Sequence, residues 1–390
     1  MTDSINEPAK RIKSLDVLRG AAIIGVITVH ILFGAGREVE GVGGDFNIAE
    51  LAYAGLPMFM VISGYLYKAG RSYKWNVMHR VVPLIIVLVA STVILTSLMY
   101  GYMYILGYDL GSYDLLSDIW TVIIGKGCFE NMGAEGFTSG YILAPYDISA
   151  GYYYLQILAV GCLIFYAIVD HVVGDWRQCT IAIVSLMCVT GLYMEAINIQ
   201  LPFSAQLGPV VAAFLLFGAL LRRYNVAEYI ENGYREKKYW IIFFALFAVA
   251  MTCIVLFPSG MKIYNTTFGS HGAWSVLTFL ALSISCGIVL WYIIALVIRI
   301  PIVSDIFTFA GVNSLILYTW HTFIAKLYAA PFYTMGTEYW ITMDSMATRF
   351  SLLIATLITI FAVIMILGRI KRAGDEAEID IDANPDYRRH

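Results

Sequence analysis

Long blocks of this chain carry no charge at all, and that decides its fold class. The segments 81–99 (VVPLIIVLVASTVILTSLM) and 239–257 (YWIIFFALFAVAMTCIVLF) hold no acidic or basic residue. A run of about 20 apolar residues spans the hydrocarbon core of a bilayer, about 30 Å thick. Backbone polar groups in lipid must be satisfied within their own segment, so such blocks are helices. The strands of an outer-membrane barrel would alternate in hydrophobicity, and these blocks do not. Over all 390 residues, 59% are hydrophobic and 14% charged, against about 25% charged in a soluble domain. The chain reads as an all-α, polytopic transmembrane bundle, and a soluble fold is excluded.

Apolar runs place ten helices, at 17–34, 50–67, 81–105, 150–169, 179–197, 206–221, 239–257, 273–297, 305–327 and 350–368. The first could pass for a signal peptide, but it carries Arg19 and His30 and lacks a clear small-residue cleavage site, so it reads as a retained helix. With the N-terminus inside, 20 of the 25 basic residues fall in cytoplasmic segments. Arg37, Lys126, Lys262, Lys326 and Arg349 are left outside. That bias predicts two cytoplasmic termini and an even number of spans. Residues 1–372 form the membrane domain, and 373–390 a polar, acidic cytoplasmic tail read as a flexible end. The longest outer loop, 106–149, contains a short apolar stretch at 114–124 suited to the membrane surface. Of six cysteines, only Cys128 lies in an aqueous loop, so no disulfide framework is indicated. Asn265-Thr266-Thr267 fits a glycosylation sequon in an outer loop. No internal repeat supports an inverted-repeat transporter.

Two ionisable residues in the first helix stand out. Arg19 and His30 are eleven residues apart, which returns to within about 20° of the same helical face after a rise of roughly 16 Å. One face thus presents a cation at the cytoplasmic edge and an imidazole deep in the membrane, where ionisable groups are costly and often functional. That suits an elongated anionic ligand with its reactive end at the histidine. A snorkelling arginine and a hydrogen-bonded core histidine fit the spacing as well.

Residues 15–30 (LDVLRGAAIIGVITVH) resemble the opening signature of the integral membrane acyltransferase-3 family, with Asp16, Arg19, Gly20 and His30 all matching. The second apolar segment ends in Ser63-Gly64-Tyr65, similar to that family's second helix. Residues 151–169 resemble its middle helix, and 311–324 (GVNSLILYTWHTFI) its late S…YxxH helix, through Ser314, Tyr318 and His321. The family core also has ten helices.

The resemblance implies transfer of an acyl group, commonly acetyl, from cytoplasmic acyl-CoA to a hydroxyl of a glycan or lipid-linked acceptor. It makes His30 the catalytic histidine and Arg19 a residue that holds the donor. Arg71, Lys74 and Arg80 are further cations at the same rim, suited to the phosphates of coenzyme A, although the positive-inside bias alone would also put them there. His321 shares a helical face with Ser314 and Tyr318 and is the second catalytic candidate or a packing histidine. Asp16 can position Arg19 through an i,i+3 pair, and Ser63 is a supporting position. The sequence departs from the family in two places. Val77 stands where an RxxR pair would have its first arginine, and Tyr152-Tyr153-Tyr154 replaces the usual tryptophan-bearing triplet. No HExxH, CxxC or Walker A pattern points to a metal or a nucleotide-hydrolysing loop, and the basic residues form no stripe for nucleic acid. The expected setting is the plasma membrane of a prokaryote. A ten-helix permease remains a rival reading. So does an N-acyltransferase of the heparan-modifying type, which shares the SLDVxRG opening at 14–20.

Overall fold

The computed structural model describes residues 12–32, 55–107, 115–116, 119–120, 153–197, 199, 201–256, 272–333 and 346–383. The loop stretch 114–124 (but for four of its residues), Cys128, Tyr152 and the sequon at Asn265 lie outside the described residues. Regular structure among the described residues is helical throughout. The helices are α1 (Lys13–Leu32), α2 (Gly55–Tyr65), α3 (Tyr73–Ile105), α4 (Tyr153–Val172), α5 (Trp176–Ala196) and α6 (Gly208–Arg223). They continue with α7 (Val226–Asn232), α8 (Lys237–Leu256), α9 (Gly272–Val297), α10 (Pro301–Val312), α11 (Ser314–Tyr333) and α12 (Met346–Ala383). Among the described residues seven helical segments have the length and apolarity to cross a membrane, α6 counting from Pro202, or eight if α10 and α11 count as one bent span. α2 and α8 occupy the second and seventh predicted positions. α12 is helical beyond Arg372, as far as Ala383.

The bundle is apolar on both its inner and its outer surfaces. α6 is buried along nearly its whole length, with Val210 to Leu216 all at most 1% exposed, as expected of a helix that is hydrophobic all round. Outward-facing residues are also large and apolar: Ile86, Ile94 and Leu98 on α3, Ile241 and Phe244 on α8, Ile354 and Ile358 on α12. Water would not tolerate so much exposed apolar area, and a bilayer requires it.

Two close helix crossings account for both motif glycines. A Cβ at Gly20 of α1 would fall on the carbonyl oxygen of Phe307, and one at Gly311 of α10 on the carbonyl oxygen of Asp16. A Cβ at Gly64 of α2 would meet the carbonyl of Leu215, and one at Gly218 of α6 that of Val61. Small residues let backbones touch, which is the main attraction available between helices in lipid. At the end of α2, Arg222 donates to the carbonyls of Tyr65 (3.3 Å) and Tyr67, supplying cationic donors to the helix C-terminus.

The ninth predicted helix, 305–327, is not one helix. α10 and α11 meet at an 83° bend. Asn313 ends α10 by donating from its backbone N (3.2 Å) and its Nδ2 (2.8 Å) to the carbonyl of Phe309. Its own carbonyl then accepts from Leu317 N at 3.0 Å in α11. The break is affordable in lipid because these backbone groups are re-satisfied on the spot. α10 therefore crosses α1 at the Arg19 end, and α11 runs up beside α1 toward His30.

Two of the five residues assigned to outer loops are buried instead. Lys326 is 1% and Arg349 7% exposed. The Arg349 guanidinium donates to the carbonyl of Leu32 at 2.8 Å, putting a cation at the C-terminus of α1, where the helix dipole favours one.

Candidate active site

The two histidines that the sequence singles out, 291 residues apart, meet. His30 Nδ1 lies 2.9 Å from His321 Nε2, with ring centroids 5.2 Å apart and planes inclined by 12°. His30 is half-buried, whereas His321 is 0% exposed. The broken helix brings them together: the turn at Asn313 redirects the chain so that α11 packs along α1.

Hydrogen-bond partners fix the protons. His321 Nδ1 faces the carbonyls of Tyr318 (2.7 Å) and Leu317 (3.2 Å), which can only accept, so Nδ1 carries the proton. Nε2 of His321 is then the acceptor, and His30 Nδ1 must be the donor to it. The remaining lone pair on His30 sits at Nε2, which has no hydrogen-bond partner among the described residues. Thr322 Oγ1 lies 3.3 Å from His321 Nε2. The outcome is a backbone-anchored imidazole that orients a second imidazole and leaves one basic nitrogen on the half-buried His30. An orienting partner of this kind sets the tautomer and stabilises the cation formed on proton transfer.

An aromatic layer joins the histidines to the cationic end. Tyr318, one turn before His321, meets Tyr154 of α4 edge-to-face at 5.4 Å. Tyr154 in turn packs on Phe59 of α2 at 6.2 Å. Arg19 lies within electrostatic reach of Asp16, Tyr154 and Arg80. Arg80, exposed on α3, also lies within electrostatic reach of Cys162 and Tyr166 of α4. In the sequence Tyr154 stands out only as part of an atypical triplet. Its position between Arg19 and Tyr318 is a relation among three helices that no single segment displays.

Arg80 sits in a π-helical turn, Val77–Val81, followed by Pro83 in the first turn of the long α-helical part of α3. Proline has no N–H to return to the carbonyl four residues back, and a widened turn accommodates this. The Arg71 guanidinium lies 3.8 Å over the Trp75 ring, and Trp75 also stacks on His79 at 4.3 Å and 9°. Lys74 is exposed on the first turn of α3, which Ser72 caps by accepting from Trp75 N at 3.2 Å. Ser63 spends its hydroxyl on its own helix, donating to the Phe59 carbonyl at 2.8 Å. Ser314 opens α11 immediately after the break. Asp16 is half-buried beside Arg19, its carbonyl against Gly311. Among the described residues no three His, Cys, Asp or Glu side chains gather as a metal site.

The family model described as an acyltransferase domain matches residues 12–369, nearly the whole chain. The chain belongs to the acyltransferase-3 family. It is a membrane acyltransferase, with several helices able to cross the bilayer. Searches of curated proteins and of solved structures found no match. The acyltransferase motifs fall on the features described above: the α1 signature supplies Arg19, the Gly20 crossing and His30, and the late motif supplies Tyr318 and His321.

Proposed function

We propose that this acyltransferase moves an acyl group, acetyl in the simplest case, from cytoplasmic acyl-CoA to a hydroxyl of a glycan or lipid-linked acceptor. The observation that carries the reading is the His30–His321 pair, whose proton arrangement leaves a basic Nε2 on His30. In this mechanism His30 Nε2 accepts the proton of the acceptor hydroxyl as its oxygen attacks the thioester carbonyl carbon. The carbon–sulfur bond then breaks, and the imidazolium returns the proton to the departing thiolate of coenzyme A. His321 holds the His30 ring and accepts from Nδ1–H, most strongly while the ring is charged.

Arg19 and Arg80 take the anionic part of the donor, with Arg71 and Lys74 at the outer edge of the same rim. Guanidinium groups suit phosphate through their forked donors, and Lys acts as a point charge. The rise from Arg19 to His30, roughly 16 Å of helix, gives a thin, flexible arm a track to the histidines past Tyr154 and Tyr318. The buried surroundings of His321 and Tyr154 would also limit loss of the thioester to water. The basic-residue bias puts Arg19 and both termini on the cytoplasmic side, the acceptor approaching from the opposite face. The setting is the plasma membrane of a prokaryote.

The test is incubation of purified protein, reconstituted with native membrane extract, with radiolabelled acetyl-CoA. Release of coenzyme A together with label in a lipid or glycan fraction supports the proposal. Solute movement without thioester turnover points to a permease, and label confined to amines to N-transfer.

A further inference from the structure

A groove of about 640 Å³ lies between the end of α3, the outer half of α11 and the start of α12. It begins at Ile324, one turn beyond His321, and extends along α11 to Pro331, so its near end is about 5 Å of helix rise from the histidine pair and its far end about 15 Å. Ile324 and Tyr328 stand three and seven residues after His321 and share its helical face. The groove thus starts one helical turn from His321, at the end of the site opposite Arg19.

Its walls are chemically finished. Pro331 has no N–H for the carbonyl of Leu327 four residues back, and Tyr102 of α3 reaches across to donate its hydroxyl there at 3.2 Å. The Tyr328 hydroxyl pairs with Thr359 Oγ1 of α12 at 2.6 Å. Ser351 donates to the Ala347 carbonyl of its own helix at 2.9 Å. Polar side chains lining the groove are therefore already engaged, and what remains on offer is apolar surface from Ile324, Leu327, Leu352 and Ala355. The mouth, marked by exposed Tyr328 and Ser351, opens beside the lipid-facing Ile354 and Ile358 of α12. An occupant can therefore enter sideways from the bilayer without leaving hydrocarbon.

We infer that this groove holds the hydrocarbon tail of the acceptor, a lipid whose head group carries the hydroxyl that is acylated. The tail lies along α11, and its position delivers the head group to His30 Nε2. This rests on the acyl-transfer reading for the fate of the head group, but tail binding can be measured separately. Such an acceptor binds by partition from the membrane, so its affinity depends on chain length, and the same sugar without a chain is a poor substrate.

The probe is a dodecyl β-glucoside carrying a diazirine near the end of its chain, added to the protein in phosphatidylcholine nanodiscs and irradiated. The groove predicts crosslinks concentrated in 324–331 and 348–359, competed by plain dodecyl glucoside and unaffected by glucose. Ala355→Trp and Ser351→Phe, which fill the groove from half-buried and exposed positions respectively, should each reduce labelling at least about tenfold while acetyl-CoA binding stays within about twofold. Labelling spread evenly over the outer surfaces of α3, α8 and α12, or unchanged in both variants, overturns the inference by marking the groove as ordinary annular lipid. Groove labelling without any coenzyme A turnover leaves tail binding standing and removes the acyl-transfer reading. Turnover with an unlabelled groove does the reverse.

Discussion

Replacing His321 by phenylalanine keeps most of the buried volume and removes the acceptor for His30 Nδ1–H. In the resting protein this strands a donor 2.9 Å from where Nε2 had been. When His30 takes a proton the loss grows, because the missing bond is then one to a charged group. Such a bond is worth roughly 1.5–3 kcal/mol net, and about 1.4 kcal/mol is a factor of ten in rate. His321→Phe should therefore lower kcat by roughly 10- to 150-fold. The proposed donor site, at the other end of α1, should show a nearly unchanged KM for acetyl-CoA. His321→Gln places an amide oxygen near the former Nε2 and should recover most of the loss, which a packing role alone does not predict. The assay is initial-rate release of coenzyme A thiol in native membranes, with each variant checked for a monodisperse, cooperatively unfolding protein. A folded His321→Phe enzyme within about threefold of wild-type kcat would refute the reasoning, since that leaves less than 1 kcal/mol for the bond.

Three further outcomes follow from the same geometry. Gly20→Val and Gly311→Val, whose side chains collide with facing carbonyls, should lower thermal stability by at least about 1–3 kcal/mol, whereas Gly101→Ala, with nothing within 4 Å, should be neutral in the same melting experiment. Equal effects at all three positions would deny the close crossing. Combined loss of Arg19 and Arg80 should weaken acetyl-CoA binding by about tenfold to a hundredfold, as expected for charge-assisted bonds, and unchanged affinity by calorimetry would remove their role. Cysteines introduced near Lys13 and near Arg372 should both resist an impermeant maleimide in intact cells, while one near Asn265 reacts. Reactivity near Arg372 alone would mean an odd number of spans.

The membrane class of the fold was legible because lipid leaves a mark on every span: charge disappears for about 20 residues at a time. Arg19 and His30 were legible as a pair because helical geometry is local and their spacing can be computed. His321 was visible as a residue but not as a partner. Its approach to His30 depends on the 83° break at Asn313, and hydropathy averaged over 305–327 runs straight through that break. The Gly-Val-Asn-Ser sequence at 311–314 held the signal, since Asn is suited to ending a helix. The burial of Lys326 and Arg349 was hidden for a related reason. Topology counting treats basic residues near span ends as loop charges, while Arg349 is drawn inward by the unpaired carbonyl at the end of α1. Ser63 matched a motif, yet its hydroxyl serves its own helix, and the adjacent Gly64 explains more of that motif through its contact with α6.

The most direct test of the central claim is single-turnover acyl transfer by His30→Gln, with acetyl-CoA affinity measured on the same preparation. Glutamine keeps the size and polarity of the side chain but cannot carry a proton through the reaction. The account predicts a loss of at least about a hundredfold in the transfer rate, the low end for removing a positioned general base, with donor affinity unchanged. Near-full turnover in a folded His30→Gln protein would contradict it.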